Sequence, residues 1–510
     1  MKKRKTYGFL IGFAGVIAVS IVLLWPLFRH GFFITDDGDW MVIRLSAFYQ
    51  SLADGQFPVR FLGRLYHNFG YPVSNFLYPG FLYVGSFFRF LGFSFVDVIK
   101  IIFAISIIGS GSFLYLALRK KYETLSSLGG AASFVLSPYV TFDVFTRGSV
   151  GEIFAFLPAS MLLYGIMAHV YWIVPIATAL LILGHNSLAL LFVAPLWLLV
   201  GLQPKPWVYI KGMIIGVGMA TFFWLPALFE RRFVIFDRVS VADTFTYFIT
   251  VKNWWLLGVG VLAALYILFI RRAKFTAFER ACAIIVLLAS ILSLPISAVL
   301  WSSVPSLSSF IQFPYRFLSI STMIGAVGIS AAMSLVQKKS RIYIFIIMLI
   351  VLGGYTLFQQ TKIRYSDRVE GYYSTNEGTT TVKNEYMPRW VQVIQTTRAS
   401  KKVEVHSGDA TYFSGKETPQ YIDGIVEARS DSIVQINTIY YPGWGVTIDG
   451  KLIAIDYTNT HGVMRVNVSA GSHRLEASFR ETGFRLITDI ISFAFGVMYL
   501  VWIYTLSRRS

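Results

Sequence analysis

Long apolar runs broken by short polar and basic stretches dominate the chain. An α-helix needs about 20 consecutive apolar residues to cross the hydrocarbon core of a bilayer. By that rule a first span is predicted over 7–28. Further spans are predicted over 98–118, 126–142, 152–170, 171–187, 188–203, 208–229, 254–271, 280–300, 314–336, 341–360 and 484–506, about twelve in all. The run 76–96 is apolar enough to join them, but it contains Arg89, and as a full crossing it would put Arg119-Lys120-Lys121 on the opposite side from the other basic clusters. An interfacial or re-entrant helix is predicted there instead.

The pattern changes between 365 and 480, where long apolar runs give way to short alternating segments such as Ser432–Ile439 and Val463–Val468. Alternation of period two is the mark of a half-buried strand, Asp449-Gly450 is a hairpin signal and Ala470-Gly471 another turn. Six or more such strands predict a β-sandwich or jelly roll. The expected fold is a polytopic α-helical membrane protein with an extracytoplasmic C-terminal β-domain. Residues 1–361 form the transmembrane domain with a long first outer loop, 29–75. Residues 362–483 form the β-rich domain, and 484–510 the last span and its tail.

Composition agrees with this division. Charged residues are 14% of the chain, against about 25% in soluble proteins. Mean hydropathy is +0.60. Forty-five basic and 27 acidic residues leave a net charge of +18. Such a balance could suit nucleic acid, but Lys and Arg sit in short clusters at the ends of apolar runs, the pattern of cytoplasmic loop anchors, and no nucleic-acid partner is expected. Met1-Lys-Lys-Arg-Lys5, Arg119-Lys120-Lys121, Lys205 with Lys211, Arg271-Arg272 with Lys274, Lys338-Lys339 with Arg341, and Arg508-Arg509 are therefore expected inside. The even span count then returns both termini to the cytoplasmic side of a plasma membrane. Cys282 is the single cysteine, which excludes a disulfide framework and a Cys-based zinc site.

This topology gathers the polar residues that need explaining on the outer face. The first loop opens with Thr35-Asp36-Asp37-Gly38-Asp39-Trp40. Carboxylates so close together repel one another, so at least one should have a raised pKa or bind a cation. They can serve as the base for a hydroxyl nucleophile, or hold a divalent metal against a phosphate. They can equally form a solvated acidic turn. Around them the same face carries Arg44, Arg60, Arg64 and His67, Arg147 with Glu152, His185-Asn186, Glu230-Arg231-Arg232, and Arg316. Carboxylates beside several Arg suit an anionic, phosphate-bearing substrate. Each Arg taken singly reads as a headgroup anchor, and Glu152 and Arg316 could simply pair with each other. In the β-domain, Tyr440-Tyr441-Pro-Gly-Trp444 reads either as an aromatic sugar platform or as a Trp packed into the sandwich core.

An acidic pair just after the first span, in a long outer loop, resembles the GT-C superfamily of membrane glycosyltransferases. Several stretches are similar to the YfhO-like and "6-pyruvoyl-tetrahydropterin synthase-related" bacterial membrane proteins. They are Asp37-Gly-Asp-Trp-Met-Val-Ile-Arg44, Asp54-Gly-Gln-Phe-Pro-Val-Arg60, Gly70-Tyr-Pro-Val-Ser-Asn-Phe-Leu-Tyr-Pro79, Arg147-Gly-Ser-Val-Gly-Glu152, Trp224-Leu-Pro226, Phe313-Pro-Tyr-Arg316, Glu385-Tyr-Met-Pro388 and Tyr441-Pro-Gly-Trp444. Their order, more than any one motif, carries the likeness. The synthase in that family name is not carried over, because the seven His are scattered without metal-ligand spacing.

The resemblance implies an enzyme that moves a sugar from a polyprenyl-phosphate donor to an extracytoplasmic acceptor (a cell-wall polymer, lipid or protein) with inversion. It implies Asp37 as general base, with Asp39 the competing candidate. Asp36, Arg44, Arg60, Arg64, His67, Arg147, Glu152, His185, Arg231 and Arg316 are then substrate-binding candidates, with Arg147 and Arg316 the preferred phosphate pair. A divalent metal (Mg or Mn) is compatible with the cluster, but only Glu152 or Glu230 offers a further acidic ligand. The competing expectations are a transporter of lipid-linked glycan, an accessory subunit of its assembly, and a binding module carried on a membrane anchor.

Overall fold

A computed structural model of the protein describes residues 2–236, 244–379 and 382–508. Arg509 of the basic C-terminal pair lies outside the described residues, as do 237–243 of the outer segment 230–253. Seven helices are long and apolar enough to cross a membrane: Leu10–Phe28, Phe95–Leu118, Thr124–Arg147, Val150–Ala168, Pro314–Ser334, Lys338–Gln360 and Gly483–Ser507. Two more candidates are bent pairs, Pro206–Met219 with Thr221–Phe233 at 64° and Ala277–Leu292 with Pro295–Ser303 at 81°. This is the fabric of a polytopic membrane protein.

The predicted spans 171–187, 188–203 and 254–271 fall on shorter apolar helices, Ile173–Gly184, Asn186–Gly201 and Gly260–Ile270. A 12-residue helix such as Ile173–Gly184 is about 18 Å long, well short of the ~30 Å hydrocarbon core. The bends have local causes. Pro295 has no N–H to continue a helix. At the other break, the amide of Phe222 donates to Ser492 Oγ at 2.6 Å, so a neighbouring helix takes up the hydrogen bond that the bend releases. In the stretch 76–96, the helix Gly80–Phe90 has 11 residues, about 16 Å, too short for a full crossing.

The first loop is tied to the segment after Lys338–Gln360 by a two-stranded ribbon, in which β1 (Phe32–Phe33) pairs antiparallel with β2 (Tyr365–Ser366). The C-terminal region then forms β3 (Val403–Ser407), β4 (Ala410–Thr418), β5 (Tyr421–Ala428), β6 (Ser432–Ile439), β7 (Trp444–Ile448), β8 (Lys451–Ile453), β9 (Val463–Val468) and β10 (Gly471–Phe479). They make a five-stranded sheet, β4-β5-β10-β7-β8, and a three-stranded sheet, β3-β6-β9. The expected hairpin at Asp449-Gly450 joins β7 to β8, with both residues at positive φ (51° and 77°), as a tight hairpin turn requires. Alternate residues of each sheet point inward, Ile422 and Val426 with Leu475 and Ala477 from one, Val434 and Ile436 with Val466 and Val468 from the other, and share one apolar core. Trp444 is buried within it and Tyr441 is fully buried, so these two rings pack the core.

Loop 29–75 lies between the helices and this sandwich, and polar contacts fasten both sides. Ile439 N–H donates to the Phe69 carbonyl at 2.8 Å. Arg60 reaches Glu481 and Asp489, each at 3.1 Å, and donates to the Phe222 carbonyl at 2.7 Å. Glu230 receives a two-pronged contact from Arg485 at 2.8 and 2.7 Å, together with Tyr441 Oη and Asn75 Nδ2, both at 2.8 Å.

Candidate functional site

The acidic turn is held against the third long helix by its own backbone. Asp36 N–H donates to the Thr146 carbonyl at 3.0 Å and Asp37 N–H to the Arg147 carbonyl at 2.8 Å. Thr35 Oγ1 accepts from Gly38 N–H at 2.9 Å, and the helix Gly38–Ala53 starts there with Asp37 at its N-cap. The turn can dock so closely because residue 148 is glycine. Gly148 has φ +66°, and a Cβ there would lie 2.2 Å from Thr35 Oγ1 and 2.8 Å from Gly38 N. Gly148→Ala is therefore expected to push the Asp36-Asp37 turn off Arg147 and reduce any activity that depends on it by at least about tenfold, since small misplacements of reacting groups are penalised heavily. Turnover of the variant against wild type, at matched expression, checks this.

Beneath the turn lies a buried cluster of charges drawn from separate helices. Glu152 Oε1 stands 2.6 Å from Arg147 Nη1, 2.7 Å from Arg316 Nε and 3.8 Å from His185 Nε2. Its Oε2 accepts from Tyr139 Oη at 3.2 Å, and Arg147 Nη1 also meets Asp143 Oδ1 at 2.6 Å. Arg316 Nη1 donates to the Ile311 carbonyl and Gln312 Oε1 at 2.7 and 2.8 Å. The guanidinium of Arg147 lies over the Tyr315 ring at 5.0 Å and that of Arg316 over Phe313 at 4.8 Å. The described residues supply no hydrogen-bond partner for Nη2 of either arginine. Two cations fixed by one shared carboxylate, each with a terminal N–H group unspent, can bind an anion.

The charges of the turn and of the cluster act on one another and on two further residues. Burial raises the Asp36 carboxyl, the neighbouring Asp37 raises it further, and Arg147 opposes both. Burial pushes the Tyr78 phenol up, while Arg44, Arg316, Glu152 and Asp37 all act on it. Tyr78 also lies against the His185 ring, with centroids 4.5 Å apart. Burial lifts Glu385 to about 7; Arg44 and Arg316 draw it down, as does its contact with Tyr386, and Asp37 pushes it up. The charges of Asp37, Arg44 and Arg316 are therefore felt at both Tyr78 and Glu385.

The remaining candidates stand elsewhere. Asp39 is engaged by Arg368 and by Tyr373 Oη at 2.9 Å, fastening the short helix Glu370–Thr375 to the first loop. Arg64 serves the same fastening, donating to Ser46 Oγ at 2.5 Å and to the Ser374 carbonyl, and burial lowers it to about 10. His67 has a left-handed backbone (φ 54°) and its N–H donates to the Glu377 carbonyl at 2.9 Å. Arg60 is held in the two ion pairs described above, and Arg231 lies between the rings of Phe236 and Phe310 at 4.8 and 5.0 Å. Glu385 and Tyr78 escaped the sequence-based site list. Both fall inside motifs that carry the family resemblance, and that was the available signal.

Among the described residues no group of three or more His, Cys, Asp or Glu side chains could hold a metal ion. Glu230 is committed to Arg485, and Glu152 to two arginines.

The chain matches no family model and no curated protein. Among solved structures it is similar to the cryo-EM structure of arabinofuranosyltransferase AftD from Mycobacteria, at 15% identity and a TM-score of 0.49 over 71% of this chain. It is also similar to the apo crystal structure of the Archaeoglobus fulgidus oligosaccharyltransferase, at 13% identity and a TM-score of 0.41 over 74% of this chain. The chain spans 28% of the first protein and 57% of the second.

Proposed function

We propose that this protein is a membrane glycosyltransferase that moves a sugar from a polyprenyl-phosphate donor to a hydroxyl of an extracytoplasmic acceptor, with inversion at the anomeric carbon. The observation that supports this reading is the docking of the Asp36-Asp37 turn, by its backbone, onto Thr146 and Arg147, the latter joined through Glu152 to Arg316, with an unspent N–H group on each arginine. The resemblance of the sequence motifs to GT-C glycosyltransferases supports the same chemistry.

In the reaction, Asp37 accepts the proton of the acceptor hydroxyl as its oxygen bonds to the anomeric carbon. The bond from that carbon to the phosphate oxygen breaks, and the lipid phosphate leaves with the electron pair. Negative charge grows on the phosphate as it departs, and the Nη2 groups of Arg147 and Arg316 stabilise that charge more than they stabilise the bound donor. Glu152 keeps both guanidiniums in position. The β-sandwich, tied to the first loop through Phe69 and Ile439, presents the acceptor.

The test is sugar transfer by purified full-length protein from a radiolabelled panel of polyprenyl-phosphate sugars, with a membrane extract supplying acceptors. Transfer from at least one donor, with full activity in EDTA, is expected. Measurable donor binding with no transfer from any donor would favour the transport or accessory reading, and loss of transfer in EDTA would assign a metal to the site.

A further inference from the structure

At one end of the five-stranded sheet, two turns bring together a serine, a histidine and an aspartate. Asp449 sits at the tip of the β7–β8 hairpin, Ser469 follows β9, and His473 lies near the start of β10. His473 Nδ1 is 2.7 Å from Asp449 Oδ2, and its Nε2 is 3.3 Å from Ser469 Oγ. A carboxylate only accepts, so Nδ1 carries the proton of the neutral imidazole and Nε2 is left to accept from the serine hydroxyl. Backbone groups fix the acid. Arg474 N–H donates to Asp449 Oδ1 at 2.8 Å, and Asp449 N–H donates to the Arg474 carbonyl at 2.9 Å. The turn after the serine is tied in a similar way, with Ala470 N–H donating to Asp431 Oδ1 at 3.2 Å. Room for the ring depends on Gly471, at φ +138°, because a Cβ there would lie 2.9 Å from His473 Nε2. The hydrogen bond to Asp449 raises the imidazole above its ordinary pKa; burial opposes it, and the carbonyls of Ala470 and Ser469 add to the rise. That direction makes the ring a stronger base.

A staple between the two turns needs only the Asp449–His473 pair. The serine hydroxyl at the other ring nitrogen is what a nucleophile requires, with the base in turn oriented by a third group. We propose that Ser469, His473 and Asp449 form a hydrolytic triad that cleaves carboxylic esters, a second activity apart from the transfer site. Phe479, at the other end of β10, stacks on Phe61 of the first loop at 5.2 Å. At ~3.3 Å per residue, His473 stands about 20 Å along the strand from it. Ser469 and Asp449 are exposed on open turns, so an ester borne on a polymer can reach the hydroxyl. In the reaction, Ser469 Oγ bonds to the ester carbonyl carbon as its proton passes to His473 Nε2. The bond from that carbon to the alcohol oxygen breaks, and the alcohol leaves with the proton from Nε2. A water then gives its proton to Nε2 and bonds to the acyl carbon. Ser469 Oγ leaves, recovers the proton, and the acid is released.

The test treats full-length protein in detergent with a fluorophosphonate probe, which bonds to activated serines, and maps the labelled peptide by mass spectrometry. Hydrolysis of p-nitrophenyl acetate and acetate release from an O-acetylated polysaccharide are measured beside it. Label on Ser469 is expected, and Ser469→Ala should lose both the label and at least about 10²-fold of each hydrolysis. That side chain is exposed, so the variant should unfold at the wild-type temperature. His473→Gln leaves the serine in place and should also lose the label, which separates a triad from a hydroxyl that is merely accessible. A protein with no label on Ser469 would overturn the proposal, as would hydrolysis unchanged in Ser469→Ala. Labelling of Ser469 that persists in His473→Gln would overturn it too, leaving the Asp449–His473 pair as a staple of the two turns.

Discussion

Asp37→Asn is expected to lower sugar transfer by about 10²- to 10⁴-fold, the usual contribution of a general base, while donor binding survives. The amide keeps the shape of the carboxyl, and the backbone contact that holds the turn, Asp37 N–H to the Arg147 carbonyl, does not involve the side chain. The loss should therefore fall on kcat and leave the affinity for lipid-linked donor within a fewfold. The neighbouring carboxylates separate by the same reasoning. Asp39 is occupied by Arg368 and Tyr373, so Asp39→Asn should loosen the helix Glu370–Thr375 and register as lowered stability. Kinetics of the two Asn variants beside their thermal unfolding distinguish the roles. Equal activity in both and in wild type would remove the base from the mechanism.

How far the sequence foretold this site depends on the length scale of each interaction. The acidic turn, the run of apolar segments and the alternation of the strands are local patterns, written in consecutive residues. Asp449-Gly450 is the clearest case, since the turn chemistry of two residues predicts the hairpin found between β7 and β8. The pairing of Glu152 with Arg316 could be posed from sequence as one of two readings, but their contact joins residues 164 apart and only folding brings them together. Arg60 and Arg64 looked like phosphate ligands for the same reason that Arg147 did: sequence shows the charge and not its partner. Arg60 found Glu481 and Asp489, more than 400 residues away, and Arg64 found backbone carbonyls at 373 and 374. The span count suffered at Ile173–Gly184 and Asn186–Gly201, where apolar composition is clear but helix length is set by the break at His185.

The joint between the helices and the β-sandwich carries the largest expected effect on stability. Glu230 is buried and receives Arg485, Tyr441 and Asn75 at once, so a residue from the bent pair fastens the last helix, the β-sandwich and the first loop. Arg485 is itself fully buried, and its Nη1 has no hydrogen-bond partner. Glu230→Gln keeps the volume and removes the negative charge, leaving the guanidinium uncompensated. Breaking one side of a buried pair in this way costs about 3–5 kcal/mol. Thermal unfolding in detergent should show a clear fall in midpoint, and limited proteolysis should cut earlier in the stretch 480–483 that joins the sandwich to the last helix. The double variant Glu230→Gln with Arg485→Met removes both charges and should recover much of the loss, because the penalty lies in the stranded cation more than in the missing attraction. A single variant as stable as wild type would show that the joint is held by apolar packing such as that of Phe229 on Phe484, whose rings stack at 4.1 Å beside the same ion pair. A double variant no better than the single would assign the loss to Tyr441 and Asn75, which both give up a charged acceptor when Glu230 is replaced.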